Sequence, residues 1–282
     1  MIQIDESYLR PVLKVRENDS HKGDYGHLLI VSGCQTMPGA ALLATGAALK
    51  SGCGLVTLHS TERALQAAVV NFPSAMLSEN AGACFDRLPG QVDRYSAVAA
   101  GPGLGRAPET ARALERLLTA AKEADIPMVL DADVLNLIAA NQGLPDLIPA
   151  GSVLTPHLGE LRRLIPQPSE EAIRSFSCRT GSVIVVKGFR SRVYTPEGEC
   201  FVNTTGNPGM AKGGSGDVLT GLVGGLLARG YSARDAACLG VWIHGFAGDC
   251  LTRERTAEAY SSRDLIDRLH EGFLKLTVPD PA

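Results

Sequence analysis

Several familiar signatures are missing from this 282-residue chain. Its seven cysteines (Cys34, Cys53, Cys84, Cys178, Cys200, Cys238 and Cys250) are an odd number and include no C-x-x-C pair. A disulfide framework and a zinc site are therefore not expected, and reduced, mostly buried thiols in a cytoplasmic protein are. Excess charge is missing too. Lys and Arg total 27 against 30 Asp and Glu, for a net charge of −3, and the basic residues are scattered, so neither nucleic acid nor a membrane surface is an expected partner. The uncharged run 25–49 is broken by Ser32, Gly33, Gln35 and Pro38, which argues against a membrane span. Asp5, Glu6 and Arg10 interrupt any secretory leader.

What the chain does have is glycine, 31 residues of it, placed where apolar runs end. Residues 27–32 (HLLIVS) read as a strand and 39–51 as a helix. The alternation continues through strands at 55–59, 96–100, 128–130, 152–154 and 182–186, with helices at 61–70, 108–123, 134–140 and from about 159. Strand–loop–helix alternation predicts a mostly parallel sheet covered by helices on both faces, a three-layer α/β/α domain. Residues 192–194 and 200–202 flank TPEGE and read as a small β-hairpin at the sheet edge. From 218 onwards the pattern is helical, at 218–229, 233–251 and 262–274, and no linker is visible, so residues 1–282 read as one domain. The polar strings GCQTMPG, GPGLG, DAD, TPHLGE and KG all follow strands. In open α/β sheets the ligand lies beyond the carboxyl ends of the strands, so these loops are expected to converge on one cleft.

The densest string is 203–219, NTTGNPGMAKGGSGDVL, with five glycines between 206 and 216. A glycine-built turn entering a helix leaves backbone N–H groups free to hold an anion, phosphate above all. Asp217 would repel that anion unless it has a task, such as taking a proton from a hydroxyl that attacks phosphorus. An Asp in a helix's first turn is also a common dipole partner, but glycine at this density favours the phosphoryl-transfer reading.

The remaining motifs are less specific. GPGLG at 101–105 lacks both the dinucleotide spacing and a following lysine, and reads equally as a tight turn. Asp131 and Asp133 can cap a helix or hold Mg²⁺ through water, with Asp131 expected to point into the cleft. His157 ends a strand and is as plausibly structural as catalytic. Lys187 and Gly188 can reach a nucleotide phosphate, although a solvated strand-end lysine is commoner. His244 is expected to serve helix packing.

Taken in order, HKGDYGHLLIVSGC, MPGAALLA, AAGPGLG, LDADVLN, LTPHLGEL, VVKG, NPGMAKGGSGDVLTG and HGFAGD resemble the ADP/ATP-dependent NAD(P)H-hydrate dehydratases, members of the ribokinase-like superfamily. The resemblance runs from about residue 21 to 265 and implies a ribokinase-like fold and a role in repairing hydrated NADH and NADPH. ADP or ATP would be the co-substrate, with ADP favoured and Mg²⁺ assisting. It places hydrated dinucleotide at Ala40, Gly103 or Gly105, His157 and Asp217, and nucleotide at Lys187, Gly188, Phe189, Arg190, Ser191 and Gly216. Asp217 would be the base, and the N–H groups of Gly213–Gly216 would hold the developing charge; no protein metal ligand is assigned. Lys212 stands where the family usually has Thr or another small polar residue, and is expected to add a cation beside the anion loop. The resemblance also implies a homotetramer. A fused epimerase domain is not expected, which would leave that partner activity to a separate protein. Two other functions fit the residues: a ribokinase-like kinase for a vitamin-precursor alcohol, and a non-catalytic dinucleotide-binding protein that would not need Asp217.

Overall fold

The computed structural model describes residues 1–278. Ten strands form one sheet: β1 (Ile2–Ile4), β2 (His27–Val31), β3 (Leu55–Thr61), β4 (Met76–Asn80), β5 (Ala97–Ala100), β6 (Met128–Leu130), β7 (Val153–Leu154), β8 (Val183–Val186), β9 (Arg192–Tyr194) and β10 (Cys200–Asn203). Their spatial order is β1-β10-β9-β8-β7-β6-β5-β2-β3-β4. All pairings are parallel except those of β9, which runs antiparallel to both neighbours.

The helices are α1 (Glu6–Leu9), α2 (Pro38–Lys50), α3 (Glu62–Asn71), α4 (Pro108–Glu123), α5 (Ala132–Ala140), α6 (Leu158–Leu164), α7 (Glu170–Thr180), α8 (Ser215–Ala228), α9 (Ala233–Glu254) and α10 (Ser262–Thr277). The period-2 alternation of β2 divides them. Leu28 and Ile30 face one core, shared with α2, α3, α8, α9 and α10, whereas Leu29 and Val31 face the other, shared with α4 to α7. A sheet buried on both faces needs strands that are apolar at every position, and β2 and β5 are buried almost throughout.

The helix that carries the anion loop is the most deeply placed. Val218, Leu222, Val223 and Leu226 of α8 are fully buried, and truncating one such Leu to Ala costs about 2–5 kcal/mol. α8 also presses on α2, so that a methyl group at Gly221 would stand 1.9 Å from the carbonyl oxygen of Ala44. The glycine lets the two helices close, and this fixes the height of the first turn of α8 against the sheet.

The expected α/β/α layering is observed, and the antiparallel hairpin is β9–β10. The hairpin is not at the edge, however. β1 pairs in parallel with β10 through Ile2↔Phe201 to Ile4↔Asn203 and covers it. β1, β4, α1 and α7 were not anticipated from the sequence. Of the cysteines, Cys34, Cys200 and Cys238 are buried, Cys178 is exposed and the rest are half-buried, all as free thiols.

Candidate active site

The anion loop leaves β10 at Asn203 and is shaped by its own residues. Asn207 caps a short 3-10 turn over Pro208–Met210 by accepting from the Gly209 N–H at 3.0 Å. Gly214 takes φ 90°, a left-handed conformation disfavoured for any side-chain-bearing residue, and starts α8. No side chain caps α8. The N–H groups of its first turn and the positive end of its dipole are thus left for a ligand.

These groups open onto a cavity of about 720 Å³. Lys187, Gly188, Phe189, Arg190 and Ser191 form one wall, Gly213, Ser215 and Gly216 form another, and Leu219 and Val241 give it an apolar floor. All six residues expected to meet nucleotide therefore border one space. Phe189 is 82% exposed at its mouth, a free ring face of the kind on which a base can stack. Arg190 has φ 57°, uncommon for a non-glycine residue, in a turn whose Gly188 N–H lies 3.4 Å from Ser191 Oγ.

His157 borders the same cavity as well as capping α6. Its Nδ1 accepts from the Gly159 N–H at 2.9 Å, while Glu160 accepts from the His157 N–H at 2.9 Å. The structural reading of this histidine thus applies, and the same residue also lines the cavity. His244 was expected only to pack, yet it too lines the cavity, 3.3 Å from Ser215 Oγ. Burial pushes its pKa down to about 4, so the imidazole is neutral near pH 7.

Ala40, Gly103, Gly105 and Asp217 are not among the cavity-lining residues. The first three belong to a neighbouring group. A methyl on Gly103 would come within 2.9 Å of Ala40 Cβ, and the Pro102 carbonyl accepts from Gly33 N–H and Ser32 Oγ. The Gly105 N–H donates to Asp133 at 2.8 Å. Asp133, which accepts from Gly105, and Asp131, which pairs with Lys187, both act on Asp217, so this group lies next to the cavity. A methyl on Gly216 would meet Lys187 Nζ at 3.2 Å and Asp131 Oδ2 at 3.4 Å, and the charges of the same two residues act on Asp217, the next residue.

Beneath Gly216 lies a buried ion pair. Lys187 Nζ is 2.7 Å from Asp131 Oδ1, and Thr220 Oγ1 donates to Asp131 Oδ2 at 2.8 Å. Asp131 is 1% exposed and caps no helix with its side chain. Its inward position was expected, but both its oxygens are engaged within the protein. Burial raises the pKa of Asp217 to about 6; Asp131 adds to the rise, Lys187 opposes it, and Asp133 adds a smaller increment. A carboxylate held near neutrality can accept a proton at pH 7 and still release it.

Lys212 borders the cavity and is held there by neutral groups. Its ammonium donates to the carbonyls of Ala257 (2.8 Å), Glu258 (3.2 Å) and Tyr260. Sequence reasoning also missed Asp249, which accepts from Gly206 N–H and Asn207 Nδ2 at 2.9 Å each, and Ser262, whose Oγ donates to the Gly213 carbonyl at 2.8 Å. For Asp249 the sequence signal is the HGFAGD string.

A family model described as NAD(P)H-hydrate dehydratase matches residues 28–271. This chain belongs to the NAD(P)H-hydrate dehydratase family. It is 38% identical over 250 residues to the ADP-dependent (S)-NAD(P)H-hydrate dehydratase of Neisseria meningitidis, with 85% of this chain and 82% of the relative covered. It is 36% identical to the bifunctional NAD(P)H-hydrate repair enzyme of Moorella thermoacetica, where 93% of this chain matches about half (52%) of the relative's length. The ADP/ATP-dependent NAD(P)H-hydrate dehydratase of Bacillus subtilis, co-crystallized with ATP and Mg²⁺, superposes with a TM-score of 0.83 at 29% identity, covering 98% of both chains. A hydroxyethylthiazole kinase from Pyrococcus horikoshii, at 15% identity and TM-score 0.57, shares the fold only.

Among the described residues of this NAD(P)H-hydrate dehydratase family member, no group of three or more His, Cys, Asp or Glu side chains is placed to hold a metal ion. A Mg²⁺ would fit here as a passenger on nucleotide phosphates, the usual manner for this ion.

Proposed function

We propose that the protein restores NADH and NADPH from the S-epimers of their hydrates, using ADP and releasing AMP and phosphate. The observation that carries this reading is the adjacency of Gly216 and Asp217. One residue presents the amide end of α8 to the nucleotide-sized cavity, and the next is a carboxylate whose pKa is raised to about 6.

The chemistry follows from what these residues can do. Hydroxide leaves poorly, so the ring hydroxyl is first made into a phosphate ester. Its oxygen bonds to the β-phosphorus of ADP as the bond to AMP breaks, and Asp217 takes the hydroxyl proton. The N–H groups of Gly213–Gly216 and the Lys187 ammonium hold the charge spread over the transferred group, where pre-aimed donors are most effective. Where nucleotide brings Mg²⁺ with it, the ion would add to the charge neutralisation that these residues provide. The ring-nitrogen lone pair then expels phosphate with the C–O bonding pair, and loss of a proton from the adjacent carbon regenerates the dihydronicotinamide. Hydrated dinucleotide is assigned to the side of Ala40, Gly103 and Gly105 and to His157, which borders the nucleotide wall.

The test is incubation with S-epimer NADH hydrate and ADP while the absorbance of regained dihydronicotinamide is followed. Recovery dependent on ADP or ATP supports the reading. A stable phosphorylated product from thiazole or pyrimidine alcohols, with no recovery, replaces it with a kinase. The protein is further assigned to the cytoplasm as one domain, working with an epimerase activity that interconverts the hydrates. A homotetramer is favoured by exposed Met76 and Leu77 on the edge strand β4 and by Val69 and Val70 at the end of α3. A monomeric mass by light scattering would reject that assembly.

A further inference from the structure

Lys212 is the one basic residue of the anion loop, yet its ammonium is held by neutral groups. An ammonium has three N–H donors, and the carbonyls of Ala257, Glu258 and Tyr260 receive them. Its Nζ also lies 4.2 Å from the centroid of the Tyr260 ring, where the face of an aromatic attracts a cation. Among the described residues no carboxylate forms an ion pair with it. Lys is normally a strongly hydrated point charge. Here backbone oxygens replace that hydration, the arrangement by which carbonyl cages hold bare monovalent cations.

The cage is made by the turn between α9 and α10, and the same turn grips the loop on both sides of Lys212. Tyr260 Oη donates to Asn207 Oδ1 at 2.9 Å, and Ser262 Oγ donates to the Gly213 carbonyl at 2.8 Å. A methyl on Gly214 would meet Ser262 Cβ at 3.2 Å and Leu43 Cδ1 at 2.4 Å, so the backbone is also seated closely there. The stretch 207–214 is thus fastened at its beginning, middle and end to residues 257–262. Lys212 is the middle fastening, immediately before the amides that face the cavity.

We propose that Lys212 is a positioning residue: a cation tethered to the chain that fills a carbonyl cage and thereby fixes the amides of Gly213–Asp217 for an anion. Two consequences follow. The native protein needs no monovalent cation from solution to order this loop. Removing the ammonium leaves three convergent carbonyls that take up a cation of suitable size, K⁺ or NH₄⁺, and Li⁺ is too small and too tightly hydrated to serve.

Lys212→Met keeps the side-chain stem and deletes the charge. Amide hydrogen exchange at Gly213–Asp217 and ADP binding by calorimetry are measured for native and variant protein in LiCl, NaCl, KCl and NH₄Cl at equal ionic strength. For the native protein both readouts are expected to be the same in all four salts. In LiCl the variant is expected to exchange faster and to bind ADP about tenfold more weakly, the scale of one or two lost hydrogen bonds to a charged group. KCl or NH₄Cl is expected to restore both. Native protection that depends on K⁺, a variant with native exchange in LiCl, or a loss that neither K⁺ nor NH₄⁺ repairs would each overturn the proposal. Lys212→Gln, measured in the same salts, serves if the Met variant does not fold. The exchange readout involves no turnover, so a protein that shows the rescue but never regenerates NADH would reject the proposed reaction and leave the cage standing.

Discussion

Lys187 and Lys212 both border the cavity at the first turn of α8, and they are held in opposite ways. Lys187 pairs with the buried carboxylate of Asp131 at 2.7 Å and has Glu160 at 3.9 Å, whereas Lys212 is held by three neutral carbonyls. The difference separates two tasks at one helix end. The charged side sets electrostatics, because Asp131 and Lys187 act in opposite directions on the proton affinity of Asp217. The neutral side sets geometry, because carbonyls fix where an ammonium sits while leaving its charge uncancelled. Buried charges are costly to leave unpaired, about 3–5 kcal/mol when one partner is removed. An unsatisfied neutral acceptor costs about 1–3 kcal/mol. The two sides should therefore fail in different ways.

The largest effect is expected at the reacting carboxylate. Asp217→Asn keeps size and position in the first turn of α8 but cannot take the hydroxyl proton. Turnover should fall about 10²–10⁴-fold, while ADP affinity is retained or improves because a negative charge near the phosphates is gone. Steady-state rates and calorimetric binding on the one variant check this. Near-native turnover in a folded Asp217→Asn protein would remove the charged side from the chemistry.

Next comes the ion pair that supports it. Lys187→Met strands Asp131, which is 1% exposed, and should destabilise the fold by about 3–5 kcal/mol besides weakening ADP binding. Changing Asp131→Asn in the same protein should recover most of the stability and none of the nucleotide affinity. Such non-additivity is the mark of a direct pair. Denaturant unfolding of the two single variants and the double variant measures the coupling. Additive losses would mean that the pair is not the unit described here, and Lys187 would then differ little from Lys212.

How much of this could be read in advance depended on where the information lay. The layered fold was legible because period-2 and period-3.6 apolar patterns are local, and α4 and β6 fall where the periodicity places them. Asp217, Gly216 and the stretch 187–191 were legible because the chemistry resides in side-chain types and glycine density. The hairpin was misplaced because the strand that covers it comes from residues 2–4, about two hundred positions away, and is only three residues long. β4, sequence MLSEN, was invisible because an edge strand with mixed polarity has no buried pattern to display. The partners of Lys212 were not legible for a third reason. Its partners are backbone carbonyls, which every residue possesses, so Ala257, Glu258 and Tyr260 carry no sequence mark of what they hold.

The charged side should also reveal itself through pH. The folded-state pKa of Asp217 is raised from 3.8 to about 6. Between those values the native protein keeps a proton that the unfolded chain has released. Stability is therefore expected to decline as pH rises from about 4 to 6 and to level off above, by about 3 kcal/mol at most. Asp217→Asn should abolish that decline and be the more stable protein at pH 7. If Asp217 is the base, turnover should rise over the upper part of the same window, with an inflection near pH 6. Parallel stability curves for the two proteins would show that Asp217 is not buried as described.

The smallest effect belongs to the neutral side. Tyr260→Phe removes the hydroxyl that donates to Asn207 Oδ1 and leaves the Tyr260 carbonyl, and so the cage around Lys212, intact. Asn207 Oδ1 still accepts from the Gly209 N–H at 3.0 Å, so no buried acceptor is orphaned. The cost should be about 0.5–1.5 kcal/mol, a fall of roughly 1–5 °C in thermal midpoint for a chain of this size. ADP affinity should drop by no more than about tenfold, because the loop keeps its fastenings at Lys212 and Ser262. Unlike the ion-pair variants, this one should show the same deficit at pH 5 and pH 8, because no group that titrates in that range loses or gains a partner. Thermal midpoints across that range decide the matter. A deficit that changes with pH would mean that Asp249, which holds Asn207 at 2.9 Å, couples the loop to the charged side after all. The division of labour between the two lysines would then be one network rather than two.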